Sequence, residues 1–395
     1  MRDLRPAQLR LVEPDFVDRV PAPAYDSLAA GGRRDLLADN PDSYLAVTQS
    51  QEDEPTLSAE AVLARSRVAL DRLRSLGAFG SVQEPRLLLY RLEVEGHQQT
   101  AIVAELSVDA IRHRRLRPHE QVFPGRARIL ADHLHVVGAQ SSPIAVAHPS
   151  FPALDELVAS VTDNDPPLRD FVAPDGLRQS VWAFPHPEAL AALDGVPLYL
   201  LDGHHRAAAA LDHADRYGLG PDDAGSWLLA ALFPADSLRI VGFDRRVLDP
   251  RFTAEQTLDL IAEHARLTEV DEPFRPTVAA EVGVYLAGRW YRATLPDVGQ
   301  NAIVGLAPVL LQSQILGPVF GIVDPQHDHR LEHLPGTRPA VEAAAETDDE
   351  GGVLFTIAPI RADELMAVAD DGLVLPPKST FITPKVRSGI FLREL

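Results

Sequence analysis

Five consecutive positions, Asp202-Gly203-His204-His205-Arg206, place an acid, a glycine, two imidazoles and a guanidinium between two apolar runs. Leu198 to Leu201 read as a buried strand, and the alanines from Ala207 to Ala210 read as a closely packed helix. A strand that turns at a glycine into a helix presents free backbone N–H groups at the helix start. With the helix dipole they attract an anion, and Arg206 adds a bidentate phosphate donor. Asp202 is placed to meet a metal ion or a hydroxyl. The alternative is structural: Gly203 easing a tight turn, Asp202 capping the helix, and the histidines lying as satisfied polar groups at the surface. The position at the carboxyl end of a strand favours a ligand, because open sheets bind ligands there.

A second run, Arg112-His113-Arg114-Arg115-Leu116-Arg117-Pro118-His119-Glu120, followed by Arg126 and Arg128, concentrates positive charge. Such runs usually form solvated faces. Here Glu120 among cations has a second use, as a carboxylate that takes a hydroxyl proton while arginines neutralise a transferring phosphoryl group. A third run, Pro376-Pro377-Lys378-Ser379-Thr380-Phe381-Ile382-Thr383-Pro384-Lys385, holds a lysine followed by two hydroxyl residues, as at the end of a phosphate loop, but lacks its glycines, so it is not one; it reads equally as a rigid connection fixed by prolines. In a fourth cluster, His327-Asp328-His329-Arg330 with His333, His329 and His333 are four apart and could share a helix face as metal ligands, yet Pro325 and Pro335 bracket the segment and leave little helix. His133 and His135 read as helix-surface residues.

The elements that must position these groups are legible in outline. Ser58 to Leu76 reads as a capped helix stopped by Gly77, and Leu87 to Glu93 with Thr100 to Leu106 as a hairpin turning at Glu95-Gly96. Arg126 to Val137 reads as helix and Pro143 to Ala147 as strand, while the acidic stretch Asp155 to Pro174 reads as a surface loop or short helix. Trp227 to Phe233 and Leu238 to Phe243 are expected to pair. Further on come a helix at Thr253 to Ala265, a hairpin at Glu281 to Leu295, helices at Leu306 to Leu316 and Ala362 to Ala369, and strands at Val353 to Ala358 and Gly389 to Leu392. Helices and strands mix without a strict βαβ rhythm, which predicts an α+β fold. Two domains are expected, 1–248 and 249–395.

Composition narrows the function. The 395 residues carry a formal charge of −20 with 46% hydrophobic residues, a balance that opposes general binding to nucleic acid or anionic membranes. There is no cysteine, so disulfides, thiolate catalysis and cysteine-ligated metal centres are excluded. No apolar run of about 20 residues offers a membrane span, and a cytoplasmic protein is expected.

Taken together, Asp202 to Arg206, His119-Glu120 and Pro377-Lys378-Ser379-Thr380 resemble the hallmarks of the family called domain of unknown function 1015. Pro23-Ala24-Tyr25-Asp26 and Asn40-Pro41-Asp42-Ser43-Tyr44 resemble its N-terminal motifs. The core of that family resembles the ParB and sulfiredoxin-like superfamily, and within it the free serine kinases. That resemblance implies a mixed-sheet nucleotide-binding core with an N-terminal extension and a second α+β region. It implies Glu120 as general base, with His119 and Asp202 completing the catalytic set. It further implies Gly203, His204, His205 and Arg206, with Lys378, Ser379 and Thr380, around nucleotide phosphates. ATP or ADP and Mg²⁺, held at Asp202, would be the cofactors. The function expected is phosphorylation of a small metabolite's hydroxyl, best represented by free L-serine giving O-phosphoserine. The partners are then substrate and nucleotide, with no nucleic acid and no membrane, and a homodimer is left open. The alternative is a ParB-like nucleotide-binding regulatory protein without chemistry. Sulfiredoxin activity is excluded by the missing cysteine, and no helix-turn-helix supports a DNA-partitioning role.

Overall fold

The computed structural model describes residues 3–28, 30–249, 251–296 and 303–395. They form two compact units. The first comprises residues 1–118, 122–238 and 384–395, and the second comprises 119–121 and 239–383.

The first unit is built on a mixed sheet of nine strands among the described residues. In chain order they are β1 (Leu4–Arg5), β2 (Leu87–Val94), β3 (His97–Ser107), β4 (Leu116–Arg117), β5 (Ile144–His148), β6 (Arg169–Val172), β7 (Arg178–Phe184), β8 (Leu198–Asp202) and β9 (Trp227–Pro234). Across the sheet the order is β4-β8-β5-β9-β3-β2-β7-β6, with β1 also paired to β3. β8 runs parallel to β4 and β9 parallel to β5, and the other neighbours are antiparallel. Trp227 to Phe233 are all buried, as a strand enclosed on both faces requires. The hairpin between β2 and β3 closes through Glu95 (φ 51°) and Gly96 (φ 74°), the two left-handed positions that suit a right-twisted ribbon.

Helix His204–Tyr217 lays Ala207, Ala210 and Ala214 into a core with Ile144, Val146 and Leu200. These small residues at i, i+3 and i+7 bring the helix close to the sheet. Helix Ala59–Ser75 starts at Ser58, whose hydroxyl accepts from the Ala61 amide.

The second unit has a six-stranded antiparallel sheet among the described residues. Its strands are β10 (Phe243–Val247), β11 (Arg266–Val270), β12 (Glu281–Leu286), β13 (Arg289–Thr294), β14 (Leu331–Pro335) and β15 (Val353–Ile357), in the order β11-β13-β12-β15-β10-β14. Neighbouring residues face opposite sides: Val284 packs with Ile261, Leu310 and Phe320, whereas Tyr285 packs with Ala343 and Leu354.

The α+β reading therefore holds at the level of mixed sheets and helices. Four local expectations are corrected. Trp227–Pro234 and the residues after Leu238 do not pair, because the 3₁₀ turn Ala235–Ser237 intervenes; Ile240–Val241 pairs with Phe381–Ile382. The acidic stretch contains a full helix, Pro152–Asn164, whose Leu154, Leu157, Val158 and Val161 form an apolar stripe beneath the acids, and then β6. The helix expected from Leu306 to Leu316 is α-helical only over Ala307–Leu311 and continues as a π-turn over Gln312–Leu316. His133 is not a free surface residue, since its Nε2 lies 2.7 Å from the Val47 carbonyl oxygen.

Candidate active site

The Asp202 turn is shaped by three local features. The register of β8 against β5 slips between Leu200 and Asp202, and such a bulge re-aims the side chain beyond it. Gly203 follows at φ 95°, a conformation that suits glycine. A Cβ there would also lie 2.9 Å from Arg206 Nη2 and from Ile144 Cγ2. Helix His204–Tyr217 then begins without a side-chain cap, so Asp202 does not play the capping role open to it in the sequence.

Asp202 instead organises two cations. Its Oδ2 accepts from Arg206 Nη2 at 2.6 Å, and its Oδ1 lies 3.0 Å from Lys385 Nζ. Arg206 is further fixed by donating through Nη1 to the carbonyls of Ser142 (3.0 Å) and Pro143 (2.7 Å). Burial alone would raise the Asp202 pKa, but Lys385 and Arg206 outweigh it and hold the carboxyl below its ordinary range. Beside this cluster, His205 stacks on Phe123, with ring centroids 5.8 Å apart, and its Nε2 accepts from the Phe123 amide at 3.2 Å. His204 is buried, 4% exposed.

The other expected site residues belong to the second unit. His119 is fully buried; its Nε2 lies 3.4 Å from Thr380 Oγ1, and its carbonyl accepts from the Leu375 amide. Glu120 next to it is half-buried. The structure thus gathers His119 with the Lys378-Ser379-Thr380 segment, and Asp202, Arg206 and Lys385 with one another. Ser379 is buried and donates its hydroxyl to the Pro376 carbonyl, which shapes the turn. Lys378 itself adopts φ 56°, unusual for a side-chain-bearing residue.

Much of the basic run is taken up by ion pairs. Arg112 pairs with Asp109 and Asp215, Arg115 with Asp3, and Arg128 with Asp132 and Asp212. Mg²⁺ does not fit at Asp202 in this arrangement: both carboxylate oxygens already hold cations, and a divalent ion there would face two positive charges. Among the described residues no group of three His, Asp or Glu side chains converges as a metal site.

Lys385 closes the third run without a role assigned to it there, although a compositional signal marks it. Of 37 cationic residues, only Lys378 and Lys385 are lysines. A chain that uses arginine nearly everywhere keeps a compact ammonium at two positions, both within the third run.

The family model described as protein of unknown function (DUF1015) matches residues 4–315. The chain belongs to this family. No curated protein matches it. Similar solved structures include a free serine kinase in complex with AMP, at 13% identity and TM-score 0.36, covering 73% of this chain and 91% of that one. A conserved hypothetical protein from Pyrococcus furiosus is similar at 12% identity and TM-score 0.36, covering 73% and 94%. SbnI with a C-terminal truncation, from Staphylococcus aureus, is similar at 14% identity and TM-score 0.36, covering 72% and 85%. Likeness at this level carries no argument about activity. No helix among the described residues is long and apolar enough to cross a membrane.

Proposed function

We propose that this DUF1015 protein is a nucleotide-dependent kinase for the hydroxyl of a small metabolite, with free L-serine the first acceptor to test. In this reading the first unit is a ParB/sulfiredoxin-like core that takes ATP or ADP. The observation that carries it is the Asp202 cluster: one carboxylate holding a guanidinium and an ammonium beside an uncapped helix start. Preorganised positive groups beside a helix start suit phosphates, whose transfer depends on positioning and charge neutralisation more than on covalent help. Gly203 lets backbone approach the anion, and Arg206 and Lys385 neutralise it. His204 and His205 supply further donors; Lys378 and Thr380, on the second unit, are assigned to phosphate by the resemblance alone. Glu120 takes the proton as the acceptor oxygen bonds to the terminal phosphorus and the bond to the nucleotide oxygen breaks. No step is assigned to Mg²⁺ at Asp202.

The test is incubation of the full chain with ATP or ADP and a pool of hydroxyl metabolites, followed by mass spectrometry. A phosphorylated product that disappears in Glu120→Gln supports the kinase. One observation favours a second reading, a nucleotide-binding regulatory protein without chemistry: Arg206 already directs Nη1 and Nη2 at Asp202 and two carbonyls. Nucleotide binding with no product, unchanged in Glu120→Gln, would establish that reading instead.

A further inference from the structure

On the second unit, three nitrogen-bearing side chains meet with no acid among them. Arg245 on β10 and His333 on β14 are direct register partners, so they project from the same face of the sheet. Phe243, two positions before Arg245, shares that face, and the Lys378 ammonium stands 5.3 Å from its ring centroid. Arg245 is 4% exposed and donates to the carbonyls of Phe243 (2.7 Å) and Lys378 (2.9 Å). Among the described residues neither Arg245 nor Lys378 has a carboxylate in ion-pair contact. The neighbouring Asp244 projects from the opposite face and holds Arg275 through both oxygens, at 3.0 and 2.7 Å.

Two further facts resist a purely structural explanation. His333 Nε2 is buried with no hydrogen-bond partner among the described residues, a costly state for a polar atom. Its imidazole stays neutral, because burial first, then Arg245 and Lys378, push its pKa down to about 3. Lys378, meanwhile, keeps a side chain at φ 56° where glycine would be easier, and Arg245 clamps its carbonyl in that conformation. A turn that only connected two segments would need neither the ammonium nor the unpartnered imidazole nitrogen. A buried guanidinium is unfavourable unless compensated, and Asp244, which acts on Arg245 electrostatically, is itself committed to Arg275; an arriving oxyanion would relieve all three groups together.

We propose that Lys378, His333 and Arg245 form an oxyanion-binding site that takes the phosphate group of a small phosphorylated metabolite. The site shares Lys378 with the kinase reading and deepens it there, yet requires neither nucleotide nor turnover. Ser379, whose hydroxyl is bound to the Pro376 carbonyl, shapes the turn.

Isothermal titration of the full chain with inorganic phosphate, and separately pyrophosphate, tests the proposal without nucleotide. Lys378→Gly suits the left-handed backbone and removes the side chain with its ammonium; His333→Phe keeps a ring and removes the nitrogens. Each is expected to weaken binding at least tenfold, with Lys378→Arg retaining affinity within about threefold. The denaturation midpoint of Lys378→Gly should equal or exceed that of the wild type, separating lost binding from lost folding. Absence of binding by the wild type, or less than tenfold weakening in either variant, overturns the site. A chain that binds phosphate in this way yet makes no phosphorylated product overturns the kinase reading alone.

Discussion

Gly203 combines two demands, a positive φ and the near contact of Arg206 and Ile144, and a methyl group violates both at once. Gly203→Ala should cost about 1–3 kcal/mol, measured by chemical denaturation, and should displace Arg206 from Asp202. An unchanged midpoint would mean that the turn relaxes freely. The neighbouring Asp202 gives a pH signature. Its carboxyl titrates below the ordinary value in the folded chain, so its stabilising effect is complete above the unfolded pKa of about 3.9 and is lost as pH falls through the folded value. Asp202→Asn should therefore flatten the stability profile below about pH 4 relative to the wild type. Lys385→Met, which leaves only Arg206 on that carboxylate, should cost about 2 kcal/mol and move the Asp202 titration upward.

At the scale of elements, the final strand Phe391–Glu394 ties the first unit together. Arg393, 1% exposed, donates to Glu105 on β3 at 3.2 Å and to the Ala224 carbonyl at 2.7 Å. Burial would raise the Glu105 pKa, but Arg393 and Arg5 hold it low. Arg393→Met should destabilise the first unit by about 3 kcal/mol, read as an early transition in thermal unfolding; a single unshifted transition would count against this role. Elements with local determinants were legible in the sequence: the Ser58 cap, the Glu95-Gly96 turn and the Leu198–Asp202 strand running into an alanine helix all arise from neighbours in the chain. Pairings made over distance were not. The fate of the residues after Trp227–Pro234 depends on which edges are available, and the sequence pattern of Ile240–Val241 contains no record of Phe381. The Asp202 turn was readable because five contiguous residues build it. Lys385 was not, because it reaches Asp202 from 183 positions away.

Across the whole molecule, burial keeps His133, His148, His213 and His333 below their ordinary pKa. Above about pH 6.5 these groups are neutral whether folded or not. On acidification the unfolded chain takes protons that the folded chain refuses, so stability falls from about pH 6.5 downward. Denaturation midpoints at about pH 7.5, 6.5 and 5.5, spanning that titration, check this, in enough salt to screen the repulsion of a −20 chain. A midpoint that rises on acidification would show that carboxylate repulsion dominates. The scarcity of lysine has a different consequence. Any acyl transfer to a side-chain amine, whether by a reagent or by an acetylating enzyme, has only two targets in 395 residues. Lys378 is exposed on its left-handed turn, whereas Lys385 is 15% exposed against Asp202. Acylation would therefore reach Lys378 first and cancel the charge of one candidate anion site, leaving the pair around Asp202 intact.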